Sequence, residues 1–91
     1  MHKLMEVERI IAKAPRALIL DMSDVLHMDS TGLHVLLRIH KECRNQRVRL
    51  ILAGVHAQPL VVLEQADQME VFGRQNLAGD LRDALELLRA A

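Results

Sequence analysis

The chain has 91 residues, of which 51% are hydrophobic, and its twelve basic and twelve acidic side chains leave no net charge at neutral pH. A chain of this size forms one domain, and its modest core needs neither metal nor disulfide to fold. Because the charge is balanced and Phe72 is the only aromatic residue, the composition lacks the basic surface and stacking platforms of nucleic-acid binding proteins, and we expect no nucleic-acid partner.

The first two predicted elements are a helix and a strand. Over residues 1–13 apolar side chains recur mostly at three- and four-residue spacings between charged ones, which predicts an amphipathic helix. Pro15 stops this helix, because proline disfavours helical geometry in the residue before it. The continuous apolar run of residues 17–20 then indicates a strand that helices cover on both faces. Asp21 ends the strand.

A loop and a long helix follow. Residues 23–30 mix acidic and hydroxyl side chains with apolar ones, so we expect a loop that inserts an apolar clamp into the core. The apolar members of this clamp are Val25, Leu26 and Met28. Over residues 31–44 apolar side chains form one broad face, which predicts a helix. Gly32 lies in its first turn, where the missing side chain lets another group approach closely.

The second half of the chain continues this alternation. Residues 48–53 predict a second strand, and residues 59–66 a shorter helix that opens near a proline, a residue suited to a first helical turn. Residues 70–72 predict a brief extended segment. Asp80 is a favourable cap for a last helix, whose apolar stripe has four members. They are Leu81, Ala84, Leu85 and Leu88.

These elements predict an α/β fold with a mainly parallel sheet and flanking helices. Strands alternate with helices, and the crossovers between parallel strands are right-handed. Two full strands and one brief one make a small sheet. Such a sheet leaves a long unpaired edge, which small proteins usually have to cover.

The polar residues that could carry a function are concentrated where the second predicted helix begins. Residues 27–33, His-Met-Asp-Ser-Thr-Gly-Leu, follow the first strand, at the end of the sheet where ligands and partners of open α/β sheets bind. The free N–H groups of a helix start attract oxygen atoms, so Asp29, Ser30 or Thr31 could each cap the helix while a neighbouring hydroxyl stays exposed. From composition alone this segment is a capping sequence, and a recognition role needs further support.

That support comes from resemblance. Residues 18–22, 28–33 and 49–55 are similar to the STAS domain shared by SulP anion transporters and anti-sigma-factor antagonists. The similarity runs from about residue 15 to residue 88. Its most specific element is the block Asp29, Ser30, Thr31, Gly32 and Leu33. The strand ending Leu-Ala-Gly-Val resembles the transporter branch more than the antagonist branch.

The resemblance implies a single STAS domain over residues 1–91. A STAS domain begins with further strands before its first helix, whereas this chain starts at that helix. Either the domain is truncated at its N-terminus, or a partner chain completes the sheet. The open sheet edge also leads us to expect a homo-oligomer.

The transporter branch implies a regulatory and protein-interaction domain in the C-terminal part of a sulfate or other anion transporter, on the cytoplasmic face of the bacterial inner membrane. Its partners would be the membrane domain of the parent chain and cytoplasmic proteins. The implied partner-binding loop is the block of residues 29–33. His27 and His56 lie in loops at the carboxyl ends of the predicted strands, and together with Met28 they are candidates to line the docking face. The alternative is that the two histidines are exposed loop residues without a role.

The antagonist branch implies a different use of the same loop. A kinase adds phosphate to a hydroxyl there, and the modification releases an anti-sigma partner. The matching hydroxyl falls on Thr31, with Ser30 next to it. A phosphate brings about −1.5 to −2 charges, which a helix N-terminus attracts and which Asp29 repels. The alternative is that Thr31 serves only in structure or contact.

Other chemistries find little support. His34 and His40 are six residues apart, whereas two imidazoles that bind one ion from a helix are four apart, so we expect no metal site. Cys43 is predicted to be a core residue, and a single cysteine fits a reducing compartment. Ser30 lacks the Gly-x-Ser-x-Gly pattern, so we expect neither an enzyme nor a cofactor. Any nucleotide binding would rest on the bare helix start and be weak.

Overall fold

The computed structural model describes residues 2–90, and Met1, where the first predicted helix begins, and Ala91 lie outside the described residues. The helices are α1 (His2–Ala12), α2 (Ser30–Asn45), α3 (Ala57–Gln65), α4 (Met69–Phe72) and α5 (Leu81–Arg89). The strands are β1 (Ala17–Asp21), β2 (Arg49–Ala53) and β3 (Leu77–Ala78), and a 3₁₀ turn at Arg74–Asn76 precedes β3.

The sheet is parallel throughout, with the order β1-β2-β3. In its register Leu18 pairs with Leu50 and Leu52 pairs with Leu77. Each pair of parallel strands needs a long crossover, and α2 provides the first. The predicted fold class, a mainly parallel sheet with flanking helices, is confirmed.

The alternation of β2 divides the core into two layers. Leu50 and Leu52 point to the side covered by α1, α2, α3 and α4, where they pack with buried residues from these helices. Ile51 and Ala53 point to the opposite side, where they pack against Ala84 of α5. Both faces of β2 are therefore dry beyond the half-buried Arg49. The cover on both faces that was expected for residues 17–20 is less complete, because β1 is only half-buried.

The structure corrects three details of the prediction. Residues 70–72, expected to be extended, are helical in α4, and the third strand is instead the two-residue β3. The Phe72 side chain is buried edge-on against the His40 ring, 5.1 Å between centroids, and the Gly73 amide donates to the Met69 carbonyl at 2.9 Å.

In α5, Ala84 and Leu88 pack as expected, whereas Leu87 packs in place of the exposed Leu81 and Leu85.

Candidate functional site

The loop between β1 and α2 is tied to β2 and α3 at its beginning. The Met22 amide donates to the Ala53 carbonyl at 2.8 Å, which continues the β1–β2 ladder by one residue. The Ser23 carbonyl lies 2.7 Å from Nε2 of His56, and a contact with a carbonyl oxygen requires that this nitrogen carry the proton. Gly54, with a φ of +69°, passes so close that a Cβ there would lie 3.2 Å from Cβ of Ser23.

The end of the loop is fixed by Gln58 of α3. Oε1 of Gln58 accepts the Met28 amide at 2.7 Å, and Nε2 donates to the Met28 carbonyl at 3.1 Å. The side-chain amide thus satisfies both backbone groups of one residue, as a neighbouring strand would. The Met28 side chain is buried and lies over Gly32, where an added Cβ would come within 2.9 Å of Cγ of Met28. The close approach expected at Gly32 is confirmed.

Asp29 caps α2. Its extended backbone lets Oδ1 accept the Gly32 amide at 2.8 Å, while its carbonyl accepts the Leu33 amide at 2.9 Å. Of the three residues that could cap the helix, the structure selects Asp29. Ser30 and Thr31 then occupy the first turn with exposed side chains.

The site residues predicted from the sequence fall into two groups. Those that present their side chains to solvent around the start of α2 are His27, Asp29, Ser30, Thr31 and His56. The others, Met28, Gly32 and Leu33, are buried or half-buried, because Met28 and Leu33 belong to the core and Gly32 lies beneath Met28. The loop also exposes Leu26 by 69%, so the expectation that Leu26 enters the core is wrong, whereas Met28 and the half-buried Val25 do pack there.

The carboxylates of Asp21 and Asp29 lie near the exposed residues at the start of α2. The pKa of Asp21 lies below its ordinary value, because the carboxylate accepts hydrogen bonds from the backbone and the hydroxyl of Ser23, the backbone contact at 2.9 Å. Asp21 is therefore ionised at neutral pH. Asp21 precedes the β1–α2 loop and Asp29 ends it, and both carboxylates are exposed to solvent.

An apolar groove of about 450 Å³ lies between α1 and the β1–α2 loop. Its walls are mostly aliphatic, and its polar lining comes from Asp21, His27 and Asp29. Its apolar lining residues include Leu4, Val7, Leu20, Met22, Val25 and Ile39. The groove thus has an aliphatic lining with two carboxylates, those of Asp21 and Asp29, among its lining residues.

Gln58 is the residue that sequence reasoning missed. It contacts a backbone 30 positions earlier in the chain, and a side chain that bonds a distant backbone leaves no spacing or composition signal.

The remaining candidates are structural. Cys43 is buried, as predicted, and burial together with the charge of Glu42 raises the pKa of its thiol. Among the side chains of the described part of the chain, no three histidine, cysteine or acidic groups cluster as metal ligands would. None of the helices in residues 2–90 has the length and apolar character needed to cross a bilayer.

Comparisons with known proteins agree on one family. The sequence profile described as the STAS domain matches residues 4–84. A solved sulfate transporter family protein from Wolinella succinogenes superimposes with a TM-score of 0.87 at 26% identity, covering 98% of this chain and 73% of that one. The STAS domain of a SulP transporter from Vibrio cholerae gives a TM-score of 0.84 at 22% identity, with 99% and 76% coverage, and shows the shared fold. A search of curated proteins found no match.

Proposed function

The chain belongs to the STAS domain family, and from that premise we propose that it is the cytoplasmic regulatory and protein-interaction domain of a SulP-type sulfate or anion transporter. The observation that carries the proposal is the superposition of nearly the whole chain on a sulfate transporter family protein. In this role the domain works by binding and not by catalysis. Its partners are the membrane domain of the parent transporter and cytoplasmic proteins.

The surface that we assign to docking is the exposed rim of the β1–α2 loop and the first turn of α2. It combines an exposed apolar side chain, Leu26, with the hydroxyls of Ser30 and Thr31 and the imidazole of His27. An apolar residue surrounded by polar groups is the usual composition of a small recognition surface. The hydrogen bonds of His56 and Gln58 keep the loop in one conformation, which lowers the entropic cost of binding.

The natural reading frame tests the first part of this proposal. We expect the gene to encode membrane-spanning segments upstream of this domain. A short frame that begins just before the domain would reject the transporter assignment.

Sulfate uptake by the parent transporter, measured in vesicles, tests the second part. Leu26→Asp places a charge on the docking surface without touching the core, and we expect it to lower uptake. Val71→Asp is the matched control, because Val71 is 44% exposed on α4, away from the loop. Equal uptake by the two variants and the wild type would reject the surface.

A second candidate function is a freestanding anti-sigma-factor antagonist switched by phosphorylation. The exposed side chains of Ser30 and Thr31 favour it, since a kinase needs an accessible hydroxyl acceptor. A phosphate on Thr31 would lie at the positive end of α2, next to the Asp29 carboxylate, and would change the docking surface on an intact fold.

Incubation with the cognate kinase, followed by mass spectrometry, tests this alternative. We expect Thr31→Ala to abolish uptake of phosphate and Ser30→Ala to leave it. Phosphorylation of Thr31→Ala at the wild-type level would refute the site.

A further inference from the structure

Several arginines gather at one end of the sheet. The strands run parallel, so all of them begin at this end and finish at the other. Arg16 directly precedes β1, and Arg49 opens β2 with its amide donating to the Arg16 carbonyl at 3.2 Å. Arg44 lies in the last turn of α2, and Arg47 in the turn that leads from α2 into β2. We call Arg16, Arg44, Arg47 and Arg49 the basic patch.

The members of the basic patch lie next to one another. Arg44 and Arg49 line a cleft of about 240 Å³ beside α4, and Arg16 and Arg49 line a second cleft beside α5. The Arg47 amide donates to the Arg44 carbonyl at 3.2 Å. Arg49 is half-buried, and its Nε donates to the uncharged side-chain oxygen of Asn76 at 2.8 Å. The other three side chains are exposed to solvent.

The carboxylates near the basic patch do not balance its charge. The ion pairs formed among residues 2–90 are Glu8–Arg38, Glu70–Arg74 and Glu86–Arg89, and none of them includes a member of the patch. Glu70 lines the same cleft as Arg49, but its carboxylate lies 3.6 Å from Nε of Arg74. The half-buried Glu42 of α2 is a single charge against four arginines. The basic patch therefore keeps an excess of positive charge.

Acidic residues lie at the opposite end of the sheet. Asp21 ends β1 and Asp29 caps α2, and the five residues of β1 separate this end from the basic patch by roughly 17 Å. That separation is about two Debye lengths at physiological ionic strength. A negatively charged surface that touches the basic patch is therefore attracted to it with little repulsion from Asp21 and Asp29, although the chain has no net charge.

We propose that the basic patch binds the anionic lipid headgroups of the cytoplasmic membrane surface. The inference rests on the proposed function, which places the domain beside that surface. Each arginine or lysine close to an anionic leaflet strengthens binding about fivefold, so a cluster of them gives a useful contact. A nucleic acid is the less favoured polyanion, because Phe72, the only aromatic residue of the chain, is buried and cannot stack on bases.

This contact would orient the domain. The basic patch lies where the strands begin, whereas the docking surface follows the end of β1. With the basic patch on the membrane, the docking surface is turned to the cytoplasm, where cytoplasmic partners can reach it.

Co-sedimentation of the chain with lipid vesicles tests the proposal. Phosphatidylcholine vesicles that contain about 30% phosphatidylglycerol should bind the chain at low ionic strength, and vesicles of phosphatidylcholine alone should not. About 1 M salt shortens the Debye length to about 3 Å and should release the chain. Equal binding to the two kinds of vesicle, or binding to neither, overturns the proposal. Tighter binding to a DNA duplex than to the anionic vesicles also overturns it.

Arg47→Gln tests whether the basic patch is the surface that binds. The variant loses one charge, so its binding to the anionic vesicles should weaken about fivefold. Arg82→Gln is the matched control, because Arg82 is an exposed arginine in the first turn of α5, the helix that starts after β3 ends. At that distance from the patch its loss should weaken binding less than about twofold. Equal losses in the two variants would assign binding to net charge and overturn the patch.

Arg47→Gly separates the lost charge from damage to the fold. Arg47 has a φ of +58°, in the left-handed region that glycine adopts more readily than arginine. We expect the urea midpoint of this variant to be at least that of the wild type, while vesicle binding weakens as in Arg47→Gln. Wild-type vesicle binding by Arg47→Gly would overturn the assignment.

The reading frame upstream of the domain tests the transporter assignment independently. Membrane-spanning segments there, together with a chain that does not bind anionic vesicles, would overturn the lipid contact and leave the transporter assignment standing.

Discussion

Gln58 pairs with the backbone of Met28 through both ends of its side-chain amide, at 2.7 and 3.1 Å. This contact connects the start of α3 to the loop before α2, so the exposed residues around Thr31 depend on a helix that follows the next strand.

Loss of the Gln58 contact should loosen the loop. Gln58→Ala leaves the partly buried amide and carbonyl of Met28 without their partner, which should lower the free energy of unfolding by about 1–2 kcal/mol. Urea denaturation measures that loss, and hydrogen exchange should accelerate over residues 23–29. Gln65→Ala, at an exposed position near the end of the same helix, is the control. Unchanged exchange at Met28 would contradict the assigned role.

Gly32→Ala should destabilise the domain, although alanine normally favours a helix over glycine by about 0.5–1 kcal/mol. The added Cβ would lie 2.9 Å from Cγ of Met28, and overpacking of this kind costs about 1–3 kcal/mol. We expect a net loss of about 1 kcal/mol in thermal or urea unfolding. In a Met28→Ala background the same substitution should be neutral or stabilising, and an equal cost in both backgrounds would exclude the clash.

Asp29→Ala should remove the cap of α2. The Gly32 amide loses its acceptor, and the expected cost is about 1 kcal/mol. Asp29→Asn keeps a side-chain oxygen at that position and should recover most of the stability in the same unfolding measurement. Asp24→Ala, an exposed acid of the same loop, controls for the lost charge. A loss as large for Asp24→Ala as for Asp29→Ala would argue against capping.

Acidification should destabilise the domain through His40. Burial and then the charge of Arg44 lower the pKa of His40 below its ordinary value of 6.5, while a hydrogen bond with the Val71 backbone opposes them. Between the lowered pKa and 6.5 the unfolded chain binds more protons, so stability is full above 6.5 and falls as the pH falls through this window.

Unfolding free energies measured across that window test the assignment to His40. His40→Gln should show a shallower fall with acidification than the wild type. His34→Gln, at an exposed position of the same helix, should keep the wild-type slope. Parallel slopes for His40→Gln and the wild type would assign the pH dependence to other groups.

The sequence predicted the elements whose pattern is strong. Helix α2 shows a broad apolar face and a cap residue, β2 an unbroken apolar run, and α5 the expected cap at Asp80, whose carboxylate accepts the Asp83 amide at 2.8 Å. These signals are local, because each depends on neighbours within one or two turns.

The errors lie where distant contacts decide the structure. Strand β3 has two residues, too few for any periodicity, and exists because they pair with Leu52 and Ala53. Residues 70–72 were predicted to be extended but are helical, and the Phe72 ring is buried against His40 of α2. In the site, the cap at Asp29 was among the predicted candidates. The contact of Gln58 was not predicted because, like β3, it depends on residues that are distant in the sequence.

The register that joins Leu18 to Leu50 has a consequence for the nascent chain. Among residues 2–90 no two strands of this sheet are neighbours in sequence, so β1 cannot pair with β2 until the ribosome has released β2, some 30 residues later. During that interval the aliphatic strand is exposed to chaperones and to other polypeptides. The order of synthesis thus makes the pairing of β1 with β2 wait until the whole of α2 has been made between them.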